Sequence, residues 1–283
     1  MLDLPFDPPI VEVQLPHTPS LPRVYMKRED LFDTHISGNK WRKLKYVLHD
    51  AKQQNKTHVV SFGGAYSNHL VALAEAAHRY GFAATAFVRG ELVSNQMLDF
   101  CRQRNMKLIF VPREAYKDKH GLYNKYFCNH TDTYFIDEGG RGELAAKGCE
   151  EILDKTPAGF THVICAVGTG TTLAGLARAA YNKQIIPEGI CVLKGAQSID
   201  IEVKKMTNKP LHIHHSYSRR GYAKTDAQLL VYMNEFAQQN GFELDKVYTA
   251  KMCMAVSELI KTKYYQPSHQ LLLIHTGGLL GND

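Results

Sequence analysis

Apolar residues in this chain follow two alternating rhythms. Short runs rich in β-branched and other apolar side chains, at 57–62, 83–88, 108–111, 162–167, 190–193, 211–214 and 270–274, read as strands. Between them lie longer stretches whose apolar residues recur every three or four positions, the spacing of one helix face. These stretches are 95–104, 143–153, 172–181, 199–206, 225–239 and 250–263. Leu44, Val47, Leu48 and Ala51 mark a further helix after Lys40, and Leu70, Leu73, Ala74 and Ala77 another that Gly81 closes. A proline-rich start leads into a short strand at 23–28. Strands alternating with amphipathic helices predict βαβ units and a mostly parallel sheet covered on both faces, an α/β fold. No repeat or low-complexity linker interrupts this order. Residues 113–141, polar and tyrosine-rich, are the least regular and read as a mobile lid or a surface excursion.

Composition narrows the classes. At 283 residues the chain is long enough for one large or two medium domains. The formal charge of +6 is spread among acids without a block of like charges, which argues against a nucleic-acid partner. The start, Met-Leu-Asp-Leu-Pro-Phe-Asp-Pro-Pro, has neither a basic region nor an apolar stretch, so no secretory signal is expected. No window approaches the about 18 apolar residues of a spanning helix, so no membrane partner is expected. The cysteines form no CxxC pair and several lie in apolar runs, which predicts free thiols and a reducing cytoplasm. The densest histidine cluster, His212-Ile-His-His215, has no carboxylate or cysteine near it in sequence to complete a metal site, and no metal is expected.

Chemistry concentrates at strand ends, where open parallel sheets bind ligands. The stretch Ile36-Ser-Gly-Asn-Lys-Trp-Arg-Lys43 places Lys40 at the start of a helix that Ser37 or Asn39 can cap. A cation there opposes the helix dipole at a cost of at most about 1 kcal/mol. The same field, with burial, favours the neutral, nucleophilic amine. A Schiff-base lysine and a solvated surface lysine are both open on this stretch alone. The loop Gly168-Thr-Gly-Thr-Thr172 joins a strand to a helix, and its backbone N–H groups and hydroxyls suit a single phosphate. It lacks the lysine of a Walker A sequence, and Leu173 stands where a dinucleotide fingerprint needs its third glycine. Gly63-Gly-Ala-Tyr-Ser-Asn-His69 offers a second helix start, either simply capped or seating a carboxylate. Val247-Tyr-Thr-Ala-Lys251 and His275-Thr-Gly-Gly278 complete the set. A phosphate seat, a carboxylate seat and one amine together describe pyridoxal phosphate joined to an amino acid.

In order and approximate spacing, these five motifs resemble the pyridoxal-phosphate enzymes of the tryptophan-synthase β-type fold. More narrowly, they resemble the family joining 1-aminocyclopropane-1-carboxylate deaminase and D-cysteine desulfhydrase, over nearly the whole chain from about Tyr25 to Gly278. The resemblance implies fold type II: two open, mostly parallel sheets flanked by helices, with the active site between a large domain (1–44 and 151–283) and a small one (45–150). It implies that Lys40 carries the Schiff base, that Asn68 contacts the cofactor's 3-oxygen, and that Gly168, Thr169, Gly170, Thr171 and Thr172 hold its phosphate. Ser67, Asn68 and His69 would face the substrate. Tyr248 and Tyr222 look like the family's two active-site tyrosines, and Thr276 like its ring-nitrogen partner. A homodimer acting on a small amino acid is the usual state.

Three departures matter. The deaminase branch has an acid after the tyrosine, where this chain has Thr249; Tyr66 stands where glutamine is usual; and the region after Arg89 is short. They favour a desulfhydrase-like β-elimination giving pyruvate, ammonia and sulfide. A 1-aminocyclopropane-1-carboxylate deaminase, a racemase of the same fold and a non-catalytic binder of the cofactor are the alternatives.

Overall fold

The structure is a computed structural model that describes residues 6–36, 38–221 and 223–282. Ser37 and Tyr222 lie outside the described residues. Two sheets organise the chain. The larger has six strands in the order β1 (Ile10–Glu12), β2 (Arg23–Lys27), β10 (Gln270–Ile274), β7 (His162–Val167), β8 (Ile186–Cys191) and β9 (His212–His214). Only β1 runs antiparallel to its neighbour. The smaller sheet is wholly parallel: β5 (Lys107–Val111), β4 (Ala83–Arg89), β3 (His58–Gly64) and β6 (Thr133–Phe135).

Alternation along each strand sends successive side chains to opposite faces, and both faces of both sheets are covered. In the larger sheet, Ile164, Leu271 and Leu273 pack with Phe236 of α8 (Ala227–Asn240) and with Met252 and Val256 of α9 (Thr249–Lys261). On the other face, Val163, Cys165 and Leu272 meet Leu173 and Leu176 of α6 (Thr171–Asn182), Val203 of α7 (Ser198–Met206) and Cys149 of α5 (Glu143–Glu150). In the smaller sheet, Val59, Ala86 and Val88 pack with α2 (Asn68–Tyr80) and α3 (Gln96–Gln103). Trp41 and Leu44 of α1 (Asn39–Gln53) join that core. Val60, Phe62 and Phe87 face Leu122 and Phe127 of α4 (Lys119–Phe127). No helix among the described residues is long and apolar enough to cross a membrane.

Several elements differ from the sequence reading. Residues 113–141 are neither lid nor surface excursion: they supply α4, β6 and one wall of the small-sheet core through Tyr116, Leu122 and Phe127. Helix α4 contains Gly121 and little amphipathic contrast, so no periodic signal announced it; the Asp118 carboxylate caps it by accepting from the Gly121 N–H at 2.8 Å. Strand β8 begins at Ile186 rather than Ile190 because Pro187 pairs only with β7, beyond the reach of the β9 ladder, where its missing N–H costs nothing. Strand β3 continues through Gly63 and Gly64, paired with Val88 and Arg89. Asn39 does not cap α1; Gly38 takes that position. The histidine cluster does have a carboxylate beside it, brought by the sheet rather than by sequence: Glu188 lies 3.3 Å from His214 Nε2. No group of three metal-ligating side chains occurs among the described residues.

Candidate active site

The carboxyl ends of strands from both sheets border one cavity of about 280 Å³, lined by Gly64 and Arg89 on one side and by Ala166, Leu193 and Thr276 on the other. Lys40 enters it from the first turn of α1. Its side chain is half-buried in the cavity wall. Burial, then the Lys43 cation one turn along, lowers its pKa to about 7, against a smaller opposite pull from Asp245. The amine donates to Asn39 Oδ1 at 2.8 Å, and Asn39 Nδ2 donates to Thr172 Oγ1 at 2.7 Å. The side chain expected to cap the helix thus ties the lysine to the threonine-rich loop.

That loop turns from β7 into α6 and lines the cavity with Gly168, Thr169, Gly170 and Thr172. A Cβ on Gly168 would stand 3.1 Å from Tyr248 Cε1, so the ring packs directly on the glycine backbone. Thr171 is fully buried behind the loop, its hydroxyl 3.3 Å from that of Thr169, and it does not line the cavity. A helix N-terminus leaves N–H groups without intrahelical partners, so the start of α6 suits a phosphate. Lys43, buried, donates to the Gly139 carbonyl at 3.3 Å, and burial lowers its pKa.

The second helix start has Ser67 as cap, its hydroxyl accepting from the Leu70 N–H. Asn68 and His69 follow, and all three line the cavity. Ser61 Oγ donates to the Ile136 carbonyl at 2.8 Å and also lies 2.8 Å from His69 Nε2. A hydroxyl has one proton, so Nε2 carries the hydrogen of this contact and Nδ1 is a bare acceptor. Burial, then Lys43 and Lys40, push the His69 pKa down to about 3, which keeps the ring neutral. Nδ1 is buried without a partner among the described residues and suits an N–H or O–H of a bound molecule.

The last strand closes the site. A Cβ on Gly38 (φ +61°) would fall 2.0 Å from the Thr276 carbonyl oxygen, so the lysine loop and the final loop meet backbone to backbone. Gly278 approaches the Asn68 amide in the same way, at 3.0 Å. Asp245 accepts from the backbone N–H groups of Val247, Tyr248 and Thr249 and from the Thr249 hydroxyl, which fixes Tyr248 against the glycine loop. Thr249 is tied to Asp245 and fully buried, whereas Thr276 lines the cavity.

Of the residues expected at the site, Lys40, Ser67, Asn68, His69, Gly168, Thr169, Gly170, Thr172, Tyr248 and Thr276 share this cavity. Tyr66, 70% exposed, lines a separate outer cavity. Sequence reasoning passed over Lys43, Arg89, Glu138 and Gly139. Lys43 had a signal, since it follows Lys40 by one helical turn. The Gly139-Gly140 pair after β6 was hidden inside the segment read as a lid. The donor set fits pyridoxal phosphate: a near-neutral amine for the aldehyde, a helix N-terminus and Lys43 for the phosphate, and a threonine hydroxyl for the ring nitrogen.

Comparison with known proteins agrees with this geometry. The profile of the family described as "Pyridoxal-phosphate dependent enzyme" matches residues 4–277. An Arabidopsis thaliana protein named bifunctional D-cysteine desulfhydrase/1-aminocyclopropane-1-carboxylate deaminase, mitochondrial, is 26% identical over 96% of this chain and 76% of its own. A D-cysteine desulfhydrase of Salmonella paratyphi A is 24% identical over 90% of this chain and 86% of its own. A crystal structure described as an ACC deaminase homologue superposes with a TM-score of 0.83 at 25% identity, covering 98% of this chain and 91% of that one.

Proposed function

The chain belongs to the pyridoxal-phosphate dependent enzyme family, and from that premise we propose that it breaks down a small amino acid by β-elimination, as a D-cysteine desulfhydrase does. The observation that carries this reading is the Lys40 amine, held at about 7 in a cavity that also presents two helix N-termini. When bound, the cofactor supplies an electron sink for charge developing at the substrate Cα.

The chain's own residues do the rest. Lys40 is matched to proton transfer near neutral pH, and such acid–base help contributes roughly 10²–10⁴ in rate. It takes the Cα proton, with the Ser67 hydroxyl and the Tyr248 phenol as the neighbouring groups able to share or return it. The α2 N-terminus at Ser67–His69 orients the α-carboxylate, and His69 Nδ1 accepts a hydrogen bond from the ligand. The Cβ–S bond breaks with both electrons leaving on sulfur, and water completes the release of pyruvate and ammonia. Thr276 would be a neutral partner for the ring nitrogen of the bound cofactor, a setting that would favour prompt departure of the β-substituent. A homodimer in the cytoplasm is part of the same proposal.

A pyruvate assay over D- and L-amino acids, paired with Lys40→Ala, tests the reading. The variant is expected to lose both the visible absorbance of the bound cofactor and pyruvate release; full turnover by Lys40→Ala would sink the assignment. A second reading, opening of the ring of 1-aminocyclopropane-1-carboxylate, draws support from the name of the Arabidopsis relative. It would release 2-oxobutanoate instead of pyruvate, so one product analysis separates the two.

A further inference from the structure

Arg89 is the last residue of β4, and its guanidinium lies beside Gly64 on β3, where a Cβ would come 3.7 Å from Nη2. It lines both the inner cavity and a second, outer one of about 960 Å³. The outer cavity is lined also by Tyr66, Leu92 and Pro112, and Gly64 and Arg89 are the residues that line both. A guanidinium carries five N–H donors. Here its contacts are the face of Tyr116, 5.4 Å away, and the Glu138 carboxylate at 4.0 Å, beyond hydrogen-bond distance. Glu138 is itself shared with Lys119 at 3.4 Å, so two cations divide one carboxylate. Among the described residues, the edge shared by the two cavities therefore holds an under-neutralised, donor-rich group.

Space decides what that group meets. The inner cavity, about 280 Å³, is at the small end of ligand pockets, about 300–1,000 Å³, and the cofactor with the core of an amino acid would fill it. A substituent on the substrate's Cβ that reached the edge shared by the two cavities would meet Arg89 there. The α-carboxylate already has its seat at the α2 N-terminus.

We propose that Arg89 determines specificity by receiving a carboxylate carried on the substrate's side chain, so that the substrate class is amino acids with an acidic substituent rather than the bare thiol. This rests on the β-elimination reading and narrows its substrate.

The test is titration of the holoenzyme with aspartate against asparagine and glutamate against glutamine, in both enantiomers, followed by the cofactor's absorbance and by calorimetry. The wild type is expected to bind the acid of each pair about tenfold or more tightly, the scale of a hydrogen bond to a charged group. Arg89→Gln is expected to bring the acid-to-amide ratio near one, Arg89→Lys to keep part of it, and Glu138→Gln to increase it by removing the internal competitor. An unchanged ratio in Arg89→Gln, equal binding within each pair by the wild type, or a loss shared by all ligands (the mark of an α-carboxylate contact) would each overturn the role of Arg89. If no amino acid perturbs the cofactor in any of these proteins, the elimination reading itself fails and the proposal goes with it.

Discussion

At Gly38 a single methyl group would decide whether the site closes. Its φ of +61° with ψ of −139° is a backbone conformation that only glycine takes easily, and another residue there is strained by about 1–3 kcal/mol. The added Cβ would also overlap the Thr276 carbonyl, backbone that has nowhere to retreat. Gly81 offers a milder case: its φ of +76° and ψ of 29° are left-handed helical, and nothing lies within 4 Å of its Cβ position. Gly81→Ala is expected to lower stability by about 1–2 kcal/mol in urea melts. Gly38→Ala should cost clearly more and should also weaken retention of pyridoxal phosphate in dialysis. Equal losses in the two variants would mean that the two loops can part without penalty. The lysine motif was legible in sequence, yet the reason for its glycine lies 238 positions away, at Thr276.

At the scale of elements, the larger sheet owes part of its cohesion to a buried carboxylate. Glu188 of β8 accepts from Tyr264 Oη at 2.9 Å and lies 3.3 Å from His214 of β9. Its other phenol partner, Tyr265, donates at 2.5 Å and is fully buried. Burial alone would raise the Glu188 pKa, but hydrogen bonds from His214, Tyr265 and Tyr264 hold it below the ordinary 4.5. A depressed carboxylate stabilises the fold above its unfolded value and loses that contribution as pH falls through the folded one. Wild type and Glu188→Gln should therefore differ in stability at neutral pH and converge below about pH 4.5, read from urea melts across that range. A difference that persists unchanged into acid would show packing, not charge, to be at work. Of the three clustered histidines, His214 is the partner of this carboxylate. Sequence could not show it, because the sheet register sets Glu188 opposite His212 from 24 positions away.

For the whole molecule, the site lies between two separately cored sheets, with Gly64 and Arg89 from one and Gly168 and Thr276 from the other. A ligand that touches both sides stabilises both. Pyridoxal phosphate at a hundredfold excess over its Kd should add about 2.7 kcal/mol and raise the midpoint of the whole unfolding transition in calorimetry. A scan in which only part of the protein melts later would contradict a shared site. Sequence by itself determined the α/β alternation, because strand and helix periods are local, and it determined the lysine, glycine and threonine loops, because ends of strands need small or capping residues. What tertiary structure alone decided are the contacts that depend on distance along the chain. Lys40 becomes a near-neutral amine only when enclosed beside Lys43, Asn39 abandons capping only because Thr172 reaches it, and residues 113–141 become core only once the small sheet offers Phe62 and Phe87. Burial and long-range register set these, and no window of sequence contains either.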